Sequence, residues 1–400
     1  MAPSSPEASV SPLLSAAAKL AYVTGLVTMM AAGTVNMMTR TVVDAPLEGY
    51  EERLPAPSLG LATVRDETFQ KAATAWFDQR WGLRGYAVRT DNSLVSSLFG
   101  ESRTNNVVVG RDGTLISGED TNYMNRSDPP DDAIALAKTI ARIQGKLRAR
   151  GKVMIPVLMP AKTSLLRDAV PSEARRRNVF GLADTNLYAA FVRTLEAEEV
   201  AFVDGRKLLA ERRALDVFAP TGRHWRVSAA CRVLQATLDV ARPELPELGE
   251  DQIDCHTHVD PNASIEEEDY DLFRLQNTWR RKPAGVDVEV LDGAKGTPAL
   301  KVPTLFVGSS FLYKFIQISR ELEVLRPSLF YYYNASVVDT TTVRITKKVE
   351  PFTEEWRKDT FSKRLFIVGL LETYIPHENV RFFEEIEREL ERPSSLVPPG

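Results

Sequence analysis

Short apolar runs alternate with amphipathic stretches over most of this chain. Residues 153–158, 200–203, 304–307 and 365–371 are runs without internal alternation, the pattern of strands buried on both faces. Pro156 lies inside the first of them and removes one ladder donor. Between them, residues 132–150 place Ala133, Leu136, Ala137, Ile140, Ile143 and Leu147 on one helical face, and residues 184–198 read as a second helix. Val227, Cys231, Leu234 and Leu238 line a third. Strand and helix in turn predict an α/β fold: a mainly parallel sheet with helices on both faces, and ligands outside the carboxyl ends of the strands. Residues 66–98 read as helix, 107–109 as a strand entering a tight turn, 122–132 as polar and structure-breaking, and 384–392 as a solvated helix of mixed charge. Tyr331–Tyr333 reads as a β-segment with alternating aromatics, with Tyr332 as a candidate oxyanion donor or sugar platform.

One stretch stands apart. Residues 20–38 carry no charge and are flanked by Lys19 and Arg40, and about 20 apolar residues suffice to cross a bilayer. No small-x-small cleavage site follows, so an uncleaved signal anchor is expected, with a buried core helix as the other reading. Lys19 before it and Arg40 and Arg53 after it do not fix its orientation. The expected organisation is a cytoplasmic N-terminal segment 1–19, a transmembrane anchor 20–38, and a linker 39–65 containing Pro46, Pro55, Pro57 and Gly60. A globular domain 66–392 and a tail 393–400 complete it.

The chain has 400 residues, 44% of them hydrophobic, enough for a sizeable core. A formal charge of -4 gives no ground for nucleic acid or anionic lipid as a partner of the whole chain. Cys231 and Cys255 are compatible with a disulfide in an oxidising compartment, and Cys231 equally with a buried thiol on an apolar helix face. His256 and His258 would share one face of a strand, but without a further histidine-rich segment they read as a polar surface loop. No metal and no cofactor are expected.

The candidate chemistry begins where the run 304–307 ends in Gly308, Ser309 and Ser310 before a helix expected over 312–322. A serine there lies at the carboxyl end of a strand and the amino end of a helix, where free N–H groups favour developing negative charge. A plain structural turn has the same composition. His224, one of four histidines, sits in the loop Pro220–Trp225 before the Val227 helix.

Taken together, four stretches resemble the alginate O-acetyltransferase family, whose core is an SGNH-hydrolase-like domain of flavodoxin-like α/β type. Val107 to Leu115 is similar to the family's early strand followed by Gly-x-Asp-Gly-Trp-Leu, with Thr114 in place of the tryptophan. Met159-Pro160-Ala161-Lys162, followed by a segment ending at Pro171, resembles its Pro-x-Lys block. Thr221-Gly222-Arg223-His224-Trp225 resembles Thr-Asp-x-His-Trp, and Gly308-Ser309-Ser310-Phe311 resembles Gly-Asp-Ser-Phe.

The resemblance implies Ser310 as nucleophile and His224 as its base, with Gly308, Ser309 and Lys162 lining the site. It also implies O-acetylation of an exported polysaccharide on the periplasmic side of the inner membrane, with a membrane-bound O-acyltransferase as acetyl donor. An esterase and a non-catalytic polysaccharide-binding relative are the alternatives. Gly222 stands where the family has the aspartate that orients the histidine, and Ser309 where it has the aspartate before the nucleophile. What orients His224 stays open: another carboxylate, a backbone carbonyl or water, or nothing.

Overall fold

The computed structural model describes residues 12–49, 52–124, 129–172, 183–250, 252–260, 267–280, 283, 288–292 and 301–392. The tail 393–400 and residues 1–11 lie outside them. The chain divides into two compact units, Met1–Phe99 with Arg274–Arg281, and Gly100–Phe273 with Lys282–Gly400.

The first unit is helical. Helix Pro12–Thr39 contains a segment, Ala16–Thr39, long and apolar enough to cross a membrane. The expected helix over 66–98 is broken in two, Thr68–Arg80 and Arg84–Phe99. The break has a physical reason. Trp81 takes an extended conformation, and Gly82 then donates its N–H to the carbonyl of Gly33 at 3.1 Å. Asn36 is buried at this contact. Its Nδ2 donates to the carbonyls of Gly82 (2.7 Å) and Val42 (2.9 Å), and its Oδ1 accepts from Val42 N–H at 2.8 Å. The last turns of the apolar helix are thus locked by hydrogen bonds to their own unit.

The second unit is built on strands β1 (Val107–Val109), β2 (Leu115–Ser117), β3 (Val153–Met159), β4 (Val203–Asp204), β5 (Thr257–Val259), β6 (Glu289–Leu291), β7 (Thr304–Gly308), β8 (Ser328–Tyr332), β9 (Ser336–Asp339), β10 (Arg344–Lys348) and β11 (Leu365–Leu371). Among the described residues the central sheet has seven strands in the order β10-β9-β8-β7-β11-β3-β4. β4, β3, β11, β7 and β8 run parallel, and β9 and β10 add an antiparallel edge.

Alternate strand residues feed two cores, as the two-residue period of a strand requires. Ile155, Val157, Phe306, Phe330 and Ile367 pack under helices Val227–Ala241 and Tyr313–Glu321. Met154, Leu158, Leu305, Val307, Phe366 and Val368 pack under Asp131–Arg148, Ala183–Ala197 and Val380–Leu390. This is the expected α/β arrangement, a mainly parallel sheet covered by helices on both faces.

Four local expectations are corrected. Of residues 200–203 only Val203 joins a strand, because Gln144 bonds the backbone of Ala201 instead. Part of the polar stretch 122–132 belongs to helix Gly118–Met124. The mixed-charge C-terminal helix is not solvated all round, since Phe382, Phe383, Ile386 and Leu390 are buried. The β-segment expected at Tyr331–Tyr333 ends one residue earlier: β8 stops at Tyr332 and Tyr333 enters a turn with φ +49.

Cys231 and Cys255 form a disulfide, which ties residues 252–260 to helix Val227–Ala241. His256 bonds Asp254 and His258 bonds Asp292, so each exposed imidazole faces its own carboxylate rather than a common centre.

Candidate active site

The carboxyl ends of β3, β7, β8 and β11 converge on one place, as they do in any parallel sheet covered by helices. β7 ends at Gly308 with φ +157, and a Cβ there would stand 2.9 Å from Leu312 and 3.2 Å from the carbonyl of Gly369 on β11. Only glycine lets the chain leave the strand at this angle and this close to its neighbour. Ser309 then caps a short 3-10 turn, Ser310–Leu312, which runs into helix Tyr313–Glu321. Ser310 is the first residue of that turn, where N–H groups have no partner within the helix.

His224 meets Ser310 from a separate loop. Its Nε2 lies 2.7 Å from Ser310 Oγ, and its ring packs on Phe311 with centroids 4.8 Å apart. Trp225 fixes the approach: its indole N–H donates to the Phe311 carbonyl at 3.0 Å, and its ring stacks on Phe315. The His-Trp pair therefore has a mechanical reading. The tryptophan fastens the histidine's loop to the serine's helix.

Behind the histidine stands Asp271, a residue that sequence reasoning missed. Its Oδ2 is 3.2 Å from His224 Nδ1. That contact is bent, short of a well-aligned hydrogen bond. The other oxygen accepts from the backbone N–H of Arg223 and of Leu272, both at 2.8 Å. Burial works against the charge of Asp271, but the contact with His224 and the two N–H groups outweigh it and hold the carboxyl below its usual range. Asp271 opens a five-residue helix that follows a stretch with no strong periodicity, so only its negative charge marked it.

Gly222 lies where no side chain fits. Its loop runs against residues 268–271, with Thr221 bonded to the carbonyl of Asp269 and Phe273 N–H to the carbonyl of Thr221. A Cβ on Gly222 would stand 2.4 Å from the carbonyl oxygen of Glu268 and 2.7 Å from that of Asp269. The glycine is required by close approach of two backbones.

Lys162 lies under the same loop and does not line the cleft. Its Nζ donates to the carbonyls of Ala219 (2.7 Å), Pro220 (3.2 Å) and Gly222 (2.7 Å), with the side chain fully buried. Burial pushes its pKa down to about 7, against the pull of Asp271, Asp120 and Asp112. The block Pro160-Ala161-Lys162 is in turn held by Glu372 at the end of β11, which accepts from Ala161 N–H (2.9 Å) and Ser164 Oγ (2.8 Å) and pairs with Arg206. Arg223, beside the histidine, is pinned by Asp120 at 2.8 Å and Glu119 at 2.7 Å. Burial opposes its charge, but those carboxylates raise its pKa further.

Of the tyrosines, Tyr333 rather than Tyr332 lies beside Ser310. Tyr332 packs on Tyr313 and Phe330. β8 ends at Tyr332, and Tyr333 follows in the turn with φ +49, its N–H donated to the carbonyl of Gly308 at 2.8 Å. An open groove of about 340 Å³ continues from Tyr333, lined by Tyr374, His377, Glu378 and Arg381. Beneath the serine turn, buried Glu378 accepts from Leu371 N–H, and burial raises its pKa to about 7 against the opposing pull of Leu371 N–H and nearby Ser309.

No curated protein matches the sequence significantly. Among solved structures, the O-acetyltransferase domain of Pseudomonas putida AlgJ is 17% identical, with 71% of this chain and 99% of that one covered at a TM-score of 0.45. Pseudomonas aeruginosa AlgX is 15% identical, covering 70% and 67% at 0.45. Bacillus cereus PatB1 is 10% identical, covering 67% and 96% at 0.42. Likenesses this distant carry no weight for the chemistry. A family model also matches: residues 107–293 are similar to ALGX, the SGNH hydrolase-like domain of acetyltransferase AlgX. That segment contains the β1–β2 hairpin, the Lys162 block, the His224 loop and Asp271.

Proposed function

We propose that the chain transfers acetyl groups to hydroxyls of an exported polysaccharide through an acetyl-serine on Ser310. The observation that carries this reading is the continuous relay from Ser310 Oγ through His224 to Asp271 at the mouth of the sheet. In the first half-reaction, Ser310 Oγ attacks the acetyl carbonyl carbon as His224 Nε2 takes the hydroxyl proton. Asp271 stabilises the imidazolium that forms. The Ser310 N–H, at the start of its helical turn, supports the oxyanion, and the Tyr333 hydroxyl is placed to assist. Collapse expels the donor's leaving group, which takes the proton from His224. In the second half-reaction a sugar hydroxyl in the groove beside Tyr333 and Tyr374 gives its proton to His224 and attacks the acetyl-serine. The sugar ester leaves and Ser310 regains a proton.

In this reading a membrane-bound O-acyltransferase supplies the acetyl group, and the apolar helix stays on the chain as an anchor with the catalytic unit in the periplasm. The hydrogen bonds that Asn36 makes to Gly82 and Val42 support retention, because cleavage within the helix would remove a buried part of the first unit.

The test uses the full chain with an activated acetyl ester. Intact mass should show one acetyl group added, absent in Ser310→Ala, and an oligosaccharide should speed release of the acetyl group and carry it off as sugar ester. Release to water at the same rate with and without oligosaccharide would make it an esterase. No acetyl-serine in a folded wild type would overturn the reading.

A further inference from the structure

The first unit holds a cavity of about 830 Å³ at the end of the apolar helix, lined by Asn36, Arg40, Arg53, Trp76 and Arg80 among others. Arg80 is pre-positioned. Its guanidinium lies 4.7 Å over the Trp76 ring, and it donates to the carbonyl of Leu54 at 2.8 Å and to Gln79 at 3.2 Å, with further N–H donors unspent. Arg40 and Arg53 have no ion-pair partner among the described residues. One acidic side chain, Asp44, also lines the cavity, but its oxygens are taken by the N–H groups of Ala45, Gly85 and Tyr86 at 2.9, 2.8 and 3.2 Å. The cavity is therefore locally cationic in a chain whose net charge is negative.

Its apolar lining matters as much. Met37, Val42 and Val43 share the cavity with the arginines, and Val43 is 86% exposed. A helix of 24 residues, Ala16–Thr39, is about 36 Å long at the usual rise. That exceeds a hydrocarbon core of about 30 Å, so its last turns reach the layer of lipid headgroups. Guanidinium forks match phosphate oxygens in pairs, and exposed valines beside them suit the start of an acyl chain.

We infer that this cavity binds the phosphate headgroup of one anionic glycerophospholipid per chain, Arg40, Arg53 and Arg80 taking the phosphate. The inference rests on the helix being retained as an anchor. A free phosphate would satisfy the arginines but leave the valines without an occupant.

The test is native mass spectrometry of the full chain in detergent, titrated with phosphatidylglycerol, phosphatidylcholine and glycerol 3-phosphate. One phosphatidylglycerol should bind at a concentration about tenfold or more below that needed for phosphatidylcholine, and glycerol 3-phosphate should not compete. Arg40→Gln/Arg53→Gln should lose that preference while keeping acetyl transfer to Ser310. Equal retention of the two lipids, an unchanged preference in the double variant, or glycerol 3-phosphate binding as tightly as the lipid would each overturn the assignment. Intact mass separates the two premises: a chain lacking residues 36–40 ends the anchor reading and the cavity with it, whereas a complete chain without lipid preference ends the cavity proposal alone.

Discussion

Asp271 stands 3.2 Å behind Nδ1 of His224. The carboxylate arrives from a different loop, and that loop lies so close to Gly222 that no side chain fits between them.

Asp271→Asn is expected to leave the fold intact and to lower turnover of an acetyl ester by up to on the order of ten-thousandfold, because the amide no longer holds the imidazole in its base tautomer. Steady-state rates beside a thermal melt check this. A rate within threefold of wild type would remove Asp271 from the relay.

Gly222→Asp restores the motif residue on paper, and from sequence alone it would be expected to help or do nothing. The structure reverses that expectation. The new Cβ meets the carbonyl oxygens of Glu268 and Asp269, so one backbone segment must move, at a cost of roughly 1–3 kcal/mol for an overpacked site. The segment that moves carries Asp271. A lower melting temperature together with lower activity is expected, and a gain in either would contradict the packing argument.

How legible this was depends on the range of the signal. The strands 304–307 and 365–371 showed themselves as uninterrupted apolar runs because both faces of the sheet are covered. Ser310 and His224 were visible as local motifs, each in a loop entering a helix. Asp271 was not, since it is joined to His224 only by the tertiary path of two loops. The Lys162 block was visible but its use was not. A buried lysine bonded to three carbonyls carries the same sequence signal as one facing a cleft. Tyr332 and Tyr333 are neighbours in the sequence, which carries no sign that β8 ends between them and that Tyr333 enters the turn.

Lys162 is expected to act as a positioning residue. Lys162→Met keeps the volume and removes the ammonium that holds the His224 loop, leaving the buried carbonyls of Ala219 and Gly222 without that donor at roughly 1–3 kcal/mol each, while Pro220 keeps its bond from Leu115 N–H. The expected result is a fall in kcat with little change in KM for a small ester. The pH dependence adds a second readout. The folded-state pKa is depressed to about 7 from 10.5, so the unfolded chain binds more protons between those values. Wild-type stability therefore gains from rising pH across that window, and the variant should lack this gain. Parallel wild-type and variant melts from pH 7 to 10.5 would show that the ammonium is not buried as described.

Glu378 gives the opposite slope in a lower window. Its carboxyl is enclosed beneath the serine turn, where burial raises its pKa from 4.5 to about 7 despite the N–H of Leu371 and the nearness of Ser309. The folded chain then holds the extra proton between those values. The stability this contributes is fully present below 4.5 and is lost as pH rises through 7, amounting to up to about 3 kcal/mol by linkage. Glu378→Gln keeps an oxygen to accept the Leu371 N–H and never ionises. The variant should therefore melt closest to wild type, or below it, at acidic pH and gain on wild type as pH rises to 8. Denaturant titrations of both proteins at several values between pH 4.5 and 8 measure the difference directly. A constant offset across that range would mean that Glu378 titrates alike in the folded and unfolded chains, and the buried carboxyl beneath Ser309 would have to be read as solvated.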